Sequence, residues 1–369
     1  MDPTDLDVWH MQRALDLAAQ GQGSVEPNPM VGCVIVKGAE IIGEGWHRRY
    51  GEDHAEVEAL RLAGARARGA TMYVTLEPCC HQGKTPPCSK AVAAAGLARV
   101  VVAQRDPFPQ VSGGGLQELQ TAGIQVDMGL LEDEARRLNA PYLKLVEKGR
   151  PWVIAKWAMT LDGKIATRGG SSRWISCDES RAIVHQLRGR VDAIVVGRQT
   201  ARLDDPLLTA RPAGPRTAAR VVLDTLGSLS SDSQLVRTAR QTPVLVAVGH
   251  ECPGAQRQRL SAAGCEVFTC SGDTHAARLS NLLAELGRRR FTNVLVEGGG
   301  RLFGTLLDSR QIDEVHVFIS PRLLGGVSAP TPVAGEGIAQ MSDALTLDSP
   351  QVQQVGPDVY LHGRVAKRW

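Results

Sequence analysis

The chain reads as an α/β protein in two domains, on three observations. Its 369 residues are too many for one ordinary hydrophobic core. Short β-branched runs alternate with stretches of helical period along most of its length. The segment Glu147-Lys148-Gly149-Arg150-Pro151 interrupts that alternation and sets a boundary, giving domains at 1–149 and 150–369.

In the first domain, Val8 to Ala19 spaces Val8, Met11, Leu15 and Ala18 as a helix does. Val31 to Val36 and Ile41 to Gly45 are strands, and Ala55 to Leu62 is a helix opened by His54-Ala55-Glu56. Thr71 to Leu76 is a strand that delivers Glu77-Pro78-Cys79 at its carboxyl end. A helix starts at Cys88 and runs to Ala95, a strand covers Val100 to Ala103, and Leu130 to Leu145 reads as one helix. In the second domain Trp152 to Trp157, Ala193 to Val196, Arg220 to Leu223, Val244 to Val248, Val294 to Glu297 and Val315 to Ile319 are strands. Asp178 to Arg188 and Ala276 to Leu286 are helices between them, and Ala210 to Ala219 is a loop. No fixed-period repeat appears.

A net charge of +3 with 22% charged residues favours neither nucleic acid nor a membrane surface. Aromatic residues, at 4%, leave little on which to stack unpaired bases. Eight cysteines scattered over a chain of this size lack the spacing of a disulfide framework, so reduced thiols are expected. The acidic start, Met1-Asp2-Pro3-Thr4-Asp5-Leu6-Asp7, is unlike a signal peptide, and no run approaches the roughly 20 apolar residues of a membrane span. The expectation is a cytoplasmic protein.

The chemistry concentrates at His54-Ala55-Glu56 and at Glu77-Pro78-Cys79-Cys80-His81-Gln82-Gly83-Lys84-Thr85-Pro86-Pro87-Cys88. One imidazole and two thiolates can bind Zn²⁺ and leave a fourth position to water. A glutamate two residues from the histidine can handle that water's protons without being a ligand, the arrangement of base-directed zinc deaminases. Those proteins carry a second cysteine three residues after the first, where this chain has Gln82; its next usable thiolate is Cys88, nine residues on from Cys79. A closed structural site of His54, Cys79, Cys80 and Cys88 is the competing arrangement. Adjacent residues point in different directions, which argues against Cys79 and Cys80 sharing one ion. Gly83-Lys84-Thr85 imitates the end of a P-loop, but Pro78 stands where that motif needs glycine.

A second constellation lies past the boundary. Strand Val294 to Glu297 runs into Gly298-Gly299-Gly300, with a helix beginning near Leu302, so backbone N–H groups can approach an anion there. It is no Rossmann fingerprint, since Phe303 occupies the third glycine's place. A tight turn explains the glycines equally well. Lys156 to Lys164 and Asp204-Asp205-Pro206-Leu207-Leu208-Thr209-Ala210-Arg211 add charged groups, although Lys164 and Asp205 suit a solvated surface as well as a site.

With these motifs in place the chain resembles the bifunctional riboflavin-biosynthesis (RibD) family, a pyrimidine deaminase fused to a reductase. The resemblance runs from about Trp9 to beyond Gly325 and rests on Pro27-Asn28-Pro29-Met30-Val31-Gly32-Cys33, Gly45-Trp46-His47, the motifs around His54 and Cys79, Gly83 to Cys88, and the reductase clusters. It implies a cytidine-deaminase-like α/β/α domain over 1–149 followed by a dihydrofolate-reductase-like α/β domain over 150–369. One zinc per chain would sit on His54, Cys79 and Cys88, with Glu56 as proton shuttle and Asn28, His47, Ala55 and Lys84 at the substrate. NADPH would meet Ala158, Trp174, Thr200, Asp204 and the turn of Gly299, Gly300, Arg301, Leu302, Phe303, Gly304 and Thr305. The reductase substrate would meet Ser172, Arg188, Leu208, Arg211 and Glu297, with the catalytic Lys156 next to the reacting centre. The implied partners are small phosphorylated pyrimidines and further copies of the chain, with no nucleic acid and no membrane. The chain departs from the family at Phe108, where asparagine is usual, at Gly114, where a basic residue is common, and at Cys80, where serine is common. The alternatives are a nucleic-acid-editing zinc deaminase with an accessory binding domain, a zinc-stabilised binding protein that has no use for Glu56, and a chain with one decayed half.

Overall fold

The computed structural model describes residues 4–366. Met1, Asp2 and Pro3 of the acidic start lie outside the described residues. The chain divides between Gly149 and Arg150 into two compact α/β units. Among the described residues no helix is long and apolar enough to cross a membrane.

The first unit runs α1 (Asp5–Ala19), β1 (Gly32–Lys37), β2 (Glu40–Trp46), α2 (Ala55–Ala63), β3 (Thr71–Val74), α3 (Cys88–Ala94), β4 (Arg99–Val102), α4 (Gly114–Thr121), β5 (Gln125–Met128), α5 (Glu132–Leu138) and α6 (Ala140–Lys148). Its sheet has the order β2-β1-β3-β4-β5, antiparallel across β1 and parallel from β3 to β5. Alternation along the strands makes three layers. Cys33, Ile35, Met72, Val74, Val100 and Val102 pack toward Ala55, Ala59, Val92 and Leu119. Val34, Val36, Tyr73 and Val101 face Met11, Ala14, Leu15 and Ala135.

α2 lies unusually close to the sheet. A Cβ on Gly45 would stand 2.4 Å from the Ala55 carbonyl oxygen and 2.7 Å from the Ala59 nitrogen, and one on Gly43 would stand 2.2 Å from the Ala59 oxygen. Glycines on β2 opposite alanines on α2 thus set the depth at which the helix, and the His54 and Glu56 it carries, meets the strand ends.

The helix expected from Leu130 to Leu145 is two helices that break at Asn139. Asn139 leaves helical geometry (φ −93°, ψ 14°) and Pro141 occupies the first turn of α6. The asparagine's amide accepts from Met30 N at 2.8 Å and donates to Met30 O at 2.9 Å, hydrogen bonds that a continuous helix would not present. α6 then ends on Gly149, whose φ of 62° is a left-handed stop.

The second unit runs β6 (Trp152–Thr160), α7 (Asp178–Arg188), β7 (Ala193–Gly197), α8 (Arg198–Asp204), β8 (Ala219–Leu223), α9 (Gln234–Arg237), β9 (Val244–Val248), α10 (Gly254–Ala262), β10 (Glu266–Thr269), α11 (His275–Arg288), β11 (Asn293–Val296), α12 (Gly300–Asp308), β12 (Glu314–Ser320), β13 (Leu347–Val355) and β14 (Asp358–Val365). The order is β10-β9-β8-β7-β11-β6-β12-β14-β13, parallel as far as β12 and antiparallel beyond it. The chain leaves β6, steps outward from β7 to β10, and returns to lay β11 between β7 and β6. Such a switch opens a crevice at the carboxyl ends of the strands. Leu279, Leu282, Leu283 and Leu286 of α11 with Leu302, Phe303 and Leu306 of α12 cover one face of the sheet. α7 covers the other. Buried Asp358 on β14 ties it down, accepting from Cys177 N at 2.8 Å and Ser180 Oγ at 2.7 Å.

Gly45→Ala should destabilise the first unit by about 1–3 kcal/mol, because the new methyl meets backbone that cannot yield without moving α2. Urea unfolding measures it. A midpoint equal to the parent's would show that α2 does not depend on this close approach.

Candidate active sites

In the first unit two helix N-termini converge on the end of one strand. His54 is the N-cap of α2, and Cys88 is the first residue of α3. The chain leaving β3 is held by Thr75, whose hydroxyl accepts from Gly32 N at 3.1 Å, and it carries Cys79 between the two helix ends. His54 Nδ1 lies 3.2 Å from Cys88 Sγ and 3.5 Å from Cys79 Sγ, and Cys88 N donates to Cys79 Sγ at 3.4 Å. The three ligand atoms lie within 4.8 Å of one another. A tetrahedral zinc with these bond lengths has ligand–ligand edges of roughly 3.5–3.8 Å, so the set fits one such ion.

The electrostatics suit a cation. Cys79 is drawn down to about 4, chiefly by the hydrogen bond from the Cys88 thiol, with burial opposing and His54 assisting. The same bond, with burial, holds the Cys88 thiol up. Burial opposes charge on His54, yet the Cys79 bond and the nearby Glu56 carboxylate raise it. The helix N-termini add positive potential toward the sulfurs. Glu56, only 3% exposed, has its carboxyl pushed up by burial, the state a group needs to take and return a proton near neutral pH.

Cys80 turns away from this cluster. Its Sγ lies 3.6 Å from Gln110 O and 3.8 Å from Val111 O, and a Cβ on Gly114 would stand 2.7 Å from it. Two of the departures from the family therefore meet: the sulfur fills room that Gly114 leaves. His81 faces Phe108, with ring centroids 5.8 Å apart. Buried Glu77 holds this loop in place, accepting from Gly113 N at 3.0 Å and Gly115 N at 3.1 Å.

His47 and Asn28 stand together beside the cluster. His47 Nδ1 lies 3.1 Å from the Asp53 carbonyl, which can only accept, so the proton sits on Nδ1 and Nε2 faces the Asn28 amide at 3.4 Å. The His47 and His54 rings meet edge to face at 5.1 Å, and burial keeps His47 neutral-leaning. Ala55 is fully buried, and Lys84 extends over the Tyr50 ring at 3.9 Å. Thr85, which sequence reasoning passed over, brings its hydroxyl to 3.4 Å from His54 Nε2.

In the second unit a cavity of about 520 Å³ opens at the strand switch. Lys156, Ala158, Ser172, Trp174, Arg188, Thr200, Asp204, Leu208, Arg211, Glu297, Gly299 and Phe303 all line it. Gly300, Arg301, Leu302, Gly304 and Thr305 do not; Gly304 packs so tightly that a Cβ would stand 2.0 Å from Ala334 O. Gly299 has φ +99°, which only glycine adopts freely, and a Cβ on Gly298 would press on Thr200 at 3.1 Å.

Arg188 from α7 grips Glu297, the residue that follows β11, with bonds of 2.5 and 2.7 Å. Burial works against the charge on Glu297, but Arg188 and then Lys156 hold its carboxyl below the usual range. Burial pulls Lys156 below the usual lysine range, with Glu297 opposing and Arg188 adding to the effect. Ser172 donates to Asp204 Oδ1 at 3.3 Å, and Arg173 donates to the Asp204 carbonyl. Asp205 lines the cavity but spends one carboxylate oxygen on Gln234 N at 2.8 Å, while Lys164 reaches Ala329 O at 3.3 Å outside it. His185, one helical turn before Arg188, also lines the cavity; its i, i+3 spacing was the available signal.

Comparison with known proteins agrees with both halves. The cytidine and deoxycytidylate deaminase zinc-binding region matches residues 4–104, and the RibD C-terminal domain matches residues 151–361. Riboflavin biosynthesis protein RibD of Actinobacillus pleuropneumoniae is 41% identical over 97% of this chain and 94% of that protein. RibD of Escherichia coli is 40% identical over 96% of this chain and 98% of its own length. Among solved structures, Acinetobacter baumannii RibD superposes with a TM-score of 0.87 at 37% identity, covering 98% of this chain and 99% of that one. A diaminohydroxyphosphoribosylaminopyrimidine deaminase/5-amino-6-(5-phosphoribosylamino)uracil reductase from Thermotoga maritima does so at 0.82 and 35%, with the same coverage. A deaminase motif, a reductase cavity and full-length likeness to these proteins place the chain in the RibD family of bifunctional riboflavin-biosynthesis deaminase–reductases.

Proposed function

We propose that residues 1–149 deaminate 2,5-diamino-6-(5-phosphoribosylamino)pyrimidin-4(3H)-one at C2 and that residues 150–369 reduce the product's ribosyl group to a ribityl chain with NADPH. The buried Glu56 beside His54, Cys79 and Cys88 carries the reading, since a structural metal site has no use for a carboxyl held ready to exchange protons. The reactions follow those in the name of the Thermotoga relative.

His54 through Nδ1, with Cys79 and Cys88, would hold one zinc, which when bound supplies Lewis acidity that brings the pKa of water toward ~7. Glu56 takes a proton from the attacking water and passes it to the departing amine, which leaves as ammonia. Asn28, its amide oriented by His47, keeps a carbonyl oxygen and a second N–H to offer the pyrimidine, with Ala55 and Lys84 completing the substrate contacts.

In the second unit NADPH would supply hydride, with Ala158, Trp174, Thr200 and Asp204 lining its place and the start of the glycine turn, Gly298 and Gly299, open to its phosphates. Ser172, Leu208, Arg188 and Glu297 position the sugar, and Arg211 meets its phosphate. Lys156, deprotonating more readily than a solvated lysine, would supply the proton to the nitrogen of the open-chain imine, whose C1 is the carbon that NADPH would reduce. Self-association and the absence of nucleic acid belong to the same reading. Ammonia release and NADPH oxidation, followed together on the purified chain, test it.

Metal analysis should find one zinc per chain in the parent and in Cys80→Ser, and none in Cys79→Ser or Cys88→Ser. An empty Cys80→Ser protein would reassign the ligands. Glu56→Gln should keep its zinc and lose about 10²–10⁴-fold in ammonia release, yet still oxidise NADPH when given the already deaminated pyrimidine. Near-parental ammonia release would remove Glu56 from the mechanism. Arg211→Ala should raise the KM for the phosphorylated sugar by about ten- to a hundredfold, a lost charge-assisted hydrogen bond. An unchanged KM would place the phosphate elsewhere.

A further inference from the structure

Behind the reductase cavity, on the sheet face that α7 covers, runs a column of side chains with no part in the steps above. Glu314 accepts from Trp152 Nε1 at 3.0 Å and lies 2.8 Å from His316 Nε2, while His316 Nδ1 lies 2.5 Å from the Tyr360 hydroxyl. A carboxylate only accepts, so His316 carries its proton on Nε2, and Nδ1 accepts from Tyr360 O–H. His316 and Tyr360 are 2% and 6% exposed, so no water competes for these bonds. Tyr360 in turn lies flat on Phe318, its partner across the β12–β14 ladder, with centroids 4.6 Å apart and planes 10° apart. Lys156 Nζ stands 5.7 Å from the centroid of the Phe318 ring. On β6, Lys156 pairs in register with His316 and Ala158 with Phe318.

A phenylalanine ring by itself can turn about its second torsion. Here it is stacked on a tyrosine that a histidine and a glutamate hold by the hydroxyl. The negative face of an aromatic ring attracts an ammonium within about 6 Å. We propose that Tyr360, tied by His316 and Glu314, is a positioning residue of the reductase that fixes Phe318 as a platform holding the Lys156 ammonium at the cavity wall. This rests on the role given to Lys156 above.

The charged and titratable groups on the elements around Lys156 include Glu297 just after β11, Arg181, His185 and Arg188 on α7, Glu314 and His316 on β12, His362 on β14, and Asp204, Asp205 and Arg211 on the cavity wall. Glu297 favours the ammonium, and Arg188 together with burial disfavours it. Removing the ring takes away one support, so the proton leaves at lower pH.

The test follows NADPH oxidation by the full chain on the already deaminated pyrimidine. Phe318→Leu and Tyr360→Leu should lower kcat about tenfold or more through misplacement of the proton donor. They should also move the basic limb of the kcat profile down by about half a unit to one unit. Tyr360→Phe, which keeps the stack and loses only the tie, should keep a KM for NADPH near the parent's, with an intermediate kcat. Lys156→Met serves as the reference. If it abolishes reduction while Phe318→Leu and Tyr360→Phe keep the parental kcat and pH profile, the platform is overturned. If Lys156→Met itself reduces at the parental rate, the role of Lys156 falls, and the platform with it.

Discussion

Two parallel strands cannot be joined by a hairpin; the chain must cross over and re-enter from the same end. Each crossover therefore begins at the strands' carboxyl ends, and loops and helix N-termini gather there. Both candidate sites follow from this constraint. After β3 the chain delivers Glu77 and Cys79, and the crossover helix α3 opens on Cys88. In the second unit β6, β7 and β11 all run parallel, and Val196, Glu297, Gly298 and Gly299 reach one cavity. The antiparallel β13 and β14 line none of it.

Buried charge then does the positioning. Glu77 spends its carboxylate on the backbone of a loop 36 to 38 residues away, at Gly113 and Gly115. Arg188 and Glu297 face each other almost without solvent, with side chains 14% and 6% exposed. Taking ions out of water costs several kcal/mol each, so such a pair adds little net stability. It does set a geometry, since either partner alone would be a buried uncompensated charge. Helix α7 and the end of strand β11 are thereby held at one relative position, with Lys156 within reach of both charges.

Much of this was legible in the residues. Strands buried on both faces, such as Val244–Val248, appear as β-branched runs and were placed to the residue. The metal cluster was legible because His54, Cys79 and Cys88 sit at element ends that the sequence marks well. Elements without a buried face left no pattern: β5 is exposed or half-buried throughout, and seven of the nine residues of β13 are exposed, so neither strand was anticipated. Pro141 marks the break at Asn139 locally, but the Met30 backbone that takes up the asparagine lies 109 residues away. The same holds for Thr85, whose partner His54 lies 31 residues away.

That break also decides where the first activity ends as a module. By taking both hydrogen-bonding groups of Met30 on one side-chain amide, Asn139 acts as a two-residue strand would, fastening the Pro27–Met30 loop from behind. Asn28, which touches His47, rides on that loop. The junction of the two terminal helices is thus a clasp on the loop that brings Asn28 to His47. A polypeptide cut before Asn139 would lose both bonds and with them the fastening of the Asn28 loop, so the chain through Asn139 belongs structurally with the first unit.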